Sequence, residues 1–579
     1  MKRLISLCLV LIFCVAVGVS SAEVKNPDTF TLAHSNTTIT LDPGTCYSST
    51  AWAKILNIYE NLVWFKGSST EEFKPVLATE VPTKANGGIS EDGLVYTFNI
   101  RKGVKFQNGN DLTPEDVEYS LERTMVVDQS GGPTWMMLDA LFGVGSSRDG
   151  DGKMLPDMAE KIDKAIEVDG NKVVIKLHRP FPPFLAILAY ANGMILDKEW
   201  AIEQGCWDGT QENAAKYNNP GMGEEPLHHV TNGTGPYTLK TWEPAKHMMF
   251  ERFDGYWGEK PALKSATVKI VKEWSTRKLM LKNGDVDRAN VDAPYIPEAK
   301  AMKNLKFFES PELGMYAGFF NQNIESKGNP HIGSGKLDGK GIPTDFFQDL
   351  NVRKAFAHCF DRATYKEDVF NGRVVLPSSP VIDGLPFHKD VPVHEYDPEK
   401  AAEYMKKAWG GKVWETGFKM SIIYFTGKDV LEAAAIMLAE NVNALNPKFR
   451  VEVIDISLKD FNAQYRQRLF PVFMTGWGAD YPDPHNFAQP FMHSAGAYGS
   501  ASGLADKEID ALIDEGILLV DPDARRKVYH RVQELYFEKA IGLPLYQPTQ
   551  FRAYRDWVEG YVPHPMLTDA NELFFNLSK

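Results

Sequence analysis

Short runs dominated by β-branched and aromatic residues, each bounded by turn formers, recur along the chain. They lie at residues 29–34, 94–100, 172–178, 267–271, 420–425 and 450–456. Such runs are typical of β-strands. Between them lie helical patterns, with no internal repeat and no low-complexity linker. The alternation predicts an α/β protein.

Three helices are predicted from their first residues. Each start offers an N-cap oxygen, a proline at the first helical position and an acid in the first turn, and they lie at residues 113–115, 397–399 and 521–523. After the second start, helical spacing places Ala401, Met405, Ala408 and Trp409 on one buried face.

The first residues have the pattern of a secretory signal. Lys2 and Arg3 precede an apolar run over 4–19, and small residues at 20–22 allow cleavage before Glu23. The alternative is a membrane anchor, but the run is shorter than the ~20 residues that span a bilayer. We therefore predict a signal peptide over residues 1–22 and a secreted mature chain.

Composition and charge narrow the class of protein. The formal net charge is −13, and it becomes more negative once Lys2 and Arg3 leave with the signal. Such a chain is a poor nucleic-acid binder. The chain has 579 residues, 43% of them hydrophobic. This predicts a large soluble protein with about three or four domain-sized units.

Disulfides cannot be the main scaffold. Cys8 and Cys14 leave with the signal, so Cys46, Cys206 and Cys359 remain. We take Cys46 with Cys206 as the candidate pair. Cys359 lies in a helical pattern, where a buried free thiol is the better interpretation.

Sequence motifs for catalysis and metal binding are missing. The chain has no phosphate loop of the form GxxxxGK[ST], no GxSxG, no HExxH and no strand-linked GxGxxG. His228 with His229, and His485 with His493, could hold a metal, but chance neighbours are expected among thirteen histidines. We predict no enzyme activity, no cofactor and no metal site.

Residues 474–487, MTGWGADYPDPHNF, combine potential binding residues with glycine and proline. We expect no regular helix or central strand here. A strand over 470–475 would end at Gly476, and the following prolines would hold Tyr481 and Asp483 in extended backbone. The loop would then present its side chains into a cleft.

The order of several segments resembles the family 5 extracellular solute-binding proteins, the peptide and nickel receptors of ABC importers. The similarity covers essentially the whole mature chain. The segments that carry it are 41–65, 75–82, 93–124, 233–263, 278–291, 351–380, 396–408 and 525–565. Each segment alone is modest support, whereas their shared order makes a chance match improbable.

The resemblance implies a bilobal periplasmic-binding-protein fold, type II, cluster C, with an additional domain. Lobe I would contain residues 23–70, 166–269 and 542–579, with the extra domain inserted at 71–165. Lobe II would be residues 270–541. The chain would cross between lobes near 268–272 and 541–546. Two such lobes close on a ligand by hinge motion.

The resemblance also implies which residues form the ligand-binding site. In peptide-binding members, the aspartate of a W-x-x-D pattern pairs with the α-ammonium group of the ligand, and the matching residue here is Asp480. Trp477 would form an apolar wall beside it. The other residues predicted to contact the ligand are Gly476, Asn486, Asn321, Phe319, Tyr47 and Tyr498.

The predicted function is that of a monomeric periplasmic receptor that binds a short peptide, delivers it to membrane permease subunits and performs no chemistry. Two alternatives stay open. The same fold could take an oligosaccharide, a nickel chelate or haem. The chain could also be a secreted hydrolase that uses Asp480 and Asp483 as an acid/base pair.

Overall fold

The computed structural model describes residues 24–568 and 572–579. The predicted signal peptide lies outside these residues. The strands are β1 (Thr29–His34), β2 (Val63–Phe65), β3 (Phe73–Pro75), β4 (Val95–Asn99), β5 (Ile166–Asp169), β6 (Lys172–Lys176), β7 (Tyr237–Glu243), β8 (His247–Arg252), β9 (Ser265–Ile270), β10 (Arg288–Asn290), β11 (Leu305–Pro311), β12 (Gly314–Phe320), β13 (Phe418–Phe425), β14 (Phe449–Ile456), β15 (Val472–Gly478), β16 (Gly542–Tyr546) and β17 (Thr549–Arg555).

The α-helices are α1 (Ser49–Ile55), α2 (Pro114–Val127), α3 (Trp135–Phe142), α4 (Met158–Ala165), α5 (Phe184–Leu188), α6 (Lys198–Glu203), α7 (Ala214–Tyr217), α8 (Trp274–Asn283), α9 (Ile296–Lys300), α10 (Leu350–His358), α11 (Arg362–Phe370), α12 (Pro398–Lys407), α13 (Lys412–Thr416), α14 (Asp429–Leu445), α15 (Leu458–Arg466), α16 (His485–Met492), α17 (Ala497–Ala501), α18 (Lys507–Leu518) and α19 (Pro522–Glu538). The predicted α/β class is confirmed.

Two large sheets organise the molecule. The first has seven strands in the order β11-β17-β10-β1-β9-β8-β7, with β1 parallel to β9 and β10 and with β17 antiparallel to β10 and β11. The second has five strands in the order β14-β13-β15-β12-β16, with β13 parallel to β14 and β15. The chain therefore begins in the first sheet, builds the second and returns with β17.

Strand pairing places the crossings between the sheets differently from our expectation. The first crossing follows Pro311, later than the expected 268–272, because β10 and β11 still pair in the first sheet. The return follows Tyr546, because β16 pairs with β12 of the second sheet instead of opening the segment 542–579 of lobe I. The remaining domain limits stay a prediction.

The two crossing segments run side by side. The backbone amide of Glu312 donates to the carbonyl of Pro548 at 2.9 Å. The buried side chain of Gln547 donates to the carbonyls of Glu312 and Asp383, at 3.0 and 2.9 Å. Both connections between the sheets are thus held in one small region.

A smaller antiparallel sheet, β4-β6-β5, lies beside α2 and α4. It falls in the region predicted to contain an additional domain. Its strands β5 and β6 follow residue 165, so this sheet extends beyond the expected limits of 71–165.

The local predictions are largely confirmed. All six predicted strands are present, and the three helix starts open α2, α12 and α19. The carboxylates of Asp397 and Asp521 accept backbone hydrogen bonds at 3.0 and 2.8 Å, as N-caps do. One detail is wrong: α12 ends at Lys407, and Trp409 adopts a φ of 52° and is only half-buried.

The expectation that residues 474–487 contain neither a central strand nor a regular helix is wrong at both ends of the segment. Residues 474–478 belong to β15, a central strand of the second sheet, and 485–487 open α16. Glycine is accommodated in this strand because the ring of Tyr316 packs against Gly476. A β-carbon at Gly476 would lie 2.5 Å from that ring. Only residues 479–484 form the connection.

The candidate disulfide is also wrong. Cys46, Cys206 and Cys359 are all free, buried thiols. Cys46 Sγ lies 3.7 Å from the carbonyl of Ser48, and Cys206 lies against the guanidinium of Arg123. Burial raises the pKa of Cys46 to about 12, which disfavours the reactive thiolate.

The two ends of the described chain meet on the first sheet. The Lys579 ammonium donates to the carbonyls of Lys25 and Asn26, both at 3.1 Å, and pairs with Asp287 at 2.8 Å. Asp287 directly precedes β10, whereas Lys25 and Asn26 precede β1. Both ends are therefore fixed to the same sheet.

Candidate functional site

Strand β15 carries the predicted binding motif to the end of the second sheet. Gly476 and Trp477 lie opposite Tyr316 and Met315 of β12. The chain then leaves the sheet at Ala479, whose amide donates to the carbonyl of Leu313 at 2.7 Å. The next residue is Asp480, which therefore lies beside the first crossing between the two sheets.

The carboxylate of Asp480 is buried and hydrogen-bonded on both oxygens. Tyr47 donates its hydroxyl to Oδ1 at 2.5 Å, and Asn486 donates Nδ2 to Oδ2 at 3.3 Å. Asn486 Oδ1 in turn accepts the amide of Asp480 at 3.0 Å and Nε1 of Trp477 at 3.2 Å. Four of the predicted residues thus form one connected cluster.

This carboxylate has no cationic partner among residues 24–568 and 572–579. Burial raises the pKa of Asp480 to about 6, while the hydrogen bonds from Tyr47 and Asn486 act in the opposite direction. A buried carboxylate without a counter-ion is costly, so a cation that enters this position gains a strong interaction.

Tyr47 brings the first part of the chain to Asp480. It follows the loop 42–46, which is fixed by a fully buried ion pair between Asp42 and Arg123, with Nη1 to Oδ1 at 2.9 Å. Nε1 of Trp135, on α3, donates to the Tyr47 hydroxyl at 3.3 Å. The contact between Tyr47 and Asp480 therefore joins the part of the chain that carries the first sheet to the second sheet.

A cavity of about 210 Å³ lies at the ends of β12 and β15. Of the predicted residues, Gly476 and Trp477 line it. The rest of its wall is mostly apolar or glycine and comes from both crossing segments and the C-terminal part of the chain: Glu312, Leu313, Gly314, Tyr316, Gly478, Ala479, Pro548, Pro565, Met566 and Thr568. Among the described residues, no Lys or Arg lines this cavity.

The other predicted residues have structural contacts. Tyr498 donates its hydroxyl to the carbonyl of Gly476 at 2.6 Å and packs edge-on against Trp477. Asn321 is fully buried and donates to the carbonyls of Arg468 and Phe470. These residues support β15 and its surroundings.

Phe319 also lies in the core of the second sheet. It stacks on Phe473, with ring centroids 5.0 Å apart, and only 2% of it is exposed. The structure does not bring Phe319 or Asn321 into the Asp480 cluster. Their predicted contact with a ligand has no support in the geometry.

Asp483 differs from Asp480. Both of its oxygens accept hydrogen bonds from Arg525 on α19, at 2.6 and 2.7 Å, and both side chains are buried. This bidentate ion pair occupies both oxygens of the carboxylate. Asp483 is therefore not a free partner for Asp480 in the pair that the hydrolase alternative requires.

Sequence reasoning missed several residues near the site. Trp135 contacts Tyr47, and its ring lies 6.5 Å from that of Tyr481, which is also flanked by Phe181. Pro565 and Met566 reach the cavity from the C-terminal part of the chain. An aromatic residue after glycine and proline, as in GGPTW, is the only available signal for Trp135.

Two sheets joined by adjacent crossings, which meet at a buried carboxylate, define a bilobal ligand-binding protein. The chain belongs to the bacterial extracellular solute-binding proteins, family 5, because the model described as "Bacterial extracellular solute-binding proteins, family 5 Middle" matches residues 72–499. Members of this family are binding proteins. Within the described residues, no helix is long and apolar enough to cross a membrane.

Two relatives are similar to this chain over nearly the full length of both proteins. The dipeptide-binding protein of Escherichia coli strain K12 is 27% identical over 570 residues, which cover 96% of this chain and 92% of the relative. Heme-binding protein A of Haemophilus influenzae is 24% identical over 566 residues, covering 95% and 93%.

A solved structure shows the same fold. It is the ABC transporter-associated periplasmic binding protein DppA from Helicobacter pylori in complex with the peptide STSA. Its TM-score is 0.68 at 22% identity, and the match covers 95% of this chain and 98% of that one. The predicted bilobal fold is thereby confirmed.

Proposed function

We propose that this protein is the extracytoplasmic receptor of an ABC importer, that it binds a short peptide between its two lobes and that it performs no chemistry. It would act as a monomer and deliver the peptide to membrane permease subunits. The observation that carries the proposal is the buried carboxylate of Asp480, which lies between the two sheets without a cationic partner among the described residues.

Asp480 would receive the α-ammonium group of the peptide. In the closed arrangement the carboxylate is desolvated, so the cation would give it a charge-assisted hydrogen bond in place of an unpaired buried charge. Tyr47 and Asn486 hold the two oxygens in place without supplying a charge. This is the preorganisation that a site for a small cationic group requires.

The cavity beside Trp477 would hold the first side chain of the peptide. Its wall combines Trp477 and Tyr316 with proline and methionine, which suits apolar contact without fixing one shape. Its volume of about 210 Å³ lies below the ~300 to 1,000 Å³ of pockets for drug-sized ligands. This size suits a single side chain of a peptide.

A four-part binding cycle tests the proposal. A verified ligand is first selected from di-, tri- and tetrapeptides, including STSA, by the rise in unfolding temperature that tight binding causes. Calorimetry then compares native protein and Asp480→Asn, each with the free and the N-acetylated peptide. We expect the mutation to weaken binding of the free peptide by about 2 to 5 kcal/mol, because it leaves the ammonium buried and unpaired.

Acetylation should cost native protein a similar amount, and the two losses should not add, because they remove one interaction. Asp455→Asn, at an exposed aspartate of β14, is the matched control and should bind like native protein. Equal affinity of native protein and Asp480→Asn for the free peptide would exclude the proposed role. Co-purification of glycan or haem from the native host would favour the alternative ligands.

A further inference from the structure

Helix α19 carries two buried tyrosines, each beside a buried arginine. Tyr529 and Tyr536 are seven residues apart, which places them two turns apart on one face of the helix. Tyr529 lies against Arg525, whose guanidinium carbon is 5.2 Å from the ring centroid. Arg525 is neutralised by the two oxygens of Asp483.

The second arginine lacks such a partner. Arg362, beside Tyr536, is 6% exposed, and its Nη2 donates to the carbonyl of Pro377. Among residues 24–568 and 572–579, its Nε has no hydrogen-bond partner, and no carboxylate lies within salt-bridge distance. The nearby Glu395 is exposed to solvent. Burial lowers the pKa of Arg362, and the charge of Glu395 acts in the opposite direction without reversing the shift.

A cavity of about 20 Å³ adjoins this arginine. Its wall includes Arg362, Tyr536, Ser378 and Gly542. The Tyr536 hydroxyl has no partner among the described residues, and the Ser378 oxygen accepts the amide of Val391 at 3.2 Å, which leaves its proton free to donate elsewhere. No Asp or Glu of the described chain lines the cavity.

Glycine keeps this space open. A β-carbon on Gly542 would lie 2.8 Å from the Tyr536 hydroxyl oxygen. The volume suffices for one atom-sized species, because a water needs about 10 to 15 Å³ by this kind of measure. The cavity is too small for a carboxylate-bearing ligand.

We propose that this cavity binds a single chloride ion, held by Nε of Arg362 and the hydroxyls of Tyr536 and Ser378. The ion supplies at Arg362 the negative charge that Asp483 supplies at Arg525. Donors line the cavity and a buried cation adjoins it, which is the chemistry of an anion site. Water would satisfy the donors but would leave the charge of Arg362 uncompensated.

The bound ion would connect four parts of the second lobe. Arg362 opens α11, Tyr536 lies on α19, Gly542 begins β16 and Ser378 belongs to the segment after α11. A ligand that binds only the folded state stabilises that state. Once the ligand concentration exceeds the dissociation constant, the stabilisation grows with the logarithm of the ligand concentration. Chloride would therefore stabilise the mature protein without contacting the peptide site.

Crystallography of the native mature chain with bromide in place of chloride gives the direct test. Bromide scatters anomalously, so an anomalous peak within hydrogen-bonding distance of Arg362 Nε and the Tyr536 hydroxyl is the expected result. A cavity that holds only water, while bromide occupies other sites in the same crystal, would overturn the proposal.

A solution measurement uses the two tyrosines as a matched pair. The unfolding temperature of native protein, Tyr536→Phe and Tyr529→Phe is measured while gluconate is replaced by chloride at constant ionic strength. We expect Tyr536→Phe to weaken chloride binding at least about tenfold, because it removes a hydrogen bond to a charged group. Tyr529→Phe should match native protein. The same chloride response in all three proteins would contradict the assignment.

Discussion

Asp480 and Asp483 are separated by two residues but have opposite surroundings. Asp483 is neutralised by Arg525, whereas Asp480 accepts hydrogen bonds only from neutral groups of the described chain. The first arrangement stabilises a fold, and the second leaves a charge available for a ligand. Their roles therefore follow from their partners and not from their position in the loop.

The pKa of Asp480 predicts how peptide affinity depends on pH. The folded value is about 6, above the ~3.9 of an unfolded aspartate, so stability from this group is present below pH ~4 and is lost as pH rises through 6. An ammonium ligand requires the ionised form. Affinity should therefore fall about tenfold for each pH unit below 6.

At high pH the ligand titrates instead. An α-amino group has a pKa near ~8, so affinity should also fall above that value and pass through a maximum between pH ~6 and ~8. Calorimetry across this range checks the prediction. In Asp480→Asn the fall below pH 6 should disappear, and its persistence there would assign the titration to another group.

At the residue scale, sequence could identify part of the site. The W-x-x-D pattern located Trp477 and Asp480 because Trp477 lies near the end of β15 and Asp480 follows that strand within two residues. It could not locate Phe319, because side chains of a strand alternate between faces and a shift of one residue reverses the assignment. Tyr316, on the opposite face of β12, lines the cavity instead.

At the scale of elements, the ion pair of Asp483 with Arg525 fixes the connection after β15 to α19. Asp483→Asn should lower the free energy of unfolding by about 3 to 5 kcal/mol, because it leaves a buried arginine unpaired. Urea unfolding at neutral pH measures this loss.

The control for this prediction is Asp480→Asn, which removes a buried charge that has no counter-ion. It should leave the stability of the ligand-free protein unchanged or raised. Equal destabilisation by the two substitutions would contradict the different roles that we assign to the aspartates.

Helix starts were predictable because their chemistry is local. An N-cap oxygen, a proline and an early acid lie within three residues of each other, and α2, α12 and α19 begin where this pattern occurs. The path of β15 was not predictable in the same way. Glycine usually weakens a strand, and only the ring of Tyr316, distant in sequence, explains its presence.

At the scale of the whole molecule, we predict that the paired crossings act as a hinge. The Glu312 amide donates to the carbonyl of Pro548, and the Gln547 side chain donates to the carbonyl of Glu312. Rotation at this point would move one sheet relative to the other without breaking either. The contact of Tyr47 with Asp480 marks the arrangement described here as closed.

Small-angle scattering should detect the hinge motion. A ligand that contacts both lobes favours the closed arrangement, so the saturated protein should scatter as this structure does. The ligand-free protein should have a larger radius of gyration. Identical curves with and without a verified peptide would contradict the hinge prediction.

The crossings illustrate why domain limits were harder to predict than the fold class. Alternating strands and helices indicate α/β structure from local patterns alone. Membership of a sheet depends on pairing between distant segments, and β10 and β11 pair with β17 near the other end of the chain. Nothing in the local sequence of these strands shows that partner.

The joined ends of the chain limit how the protein could be made into a fluorescent sensor. Because Lys579 bonds to Lys25 and Asn26, two fluorophores attached before Lys25 and after Lys579 would both be held on the first lobe. Their separation would barely change on closure, and energy transfer between them would stay constant. A responsive sensor needs one fluorophore inserted in the second lobe, at an exposed turn such as 426–427 between β13 and α14.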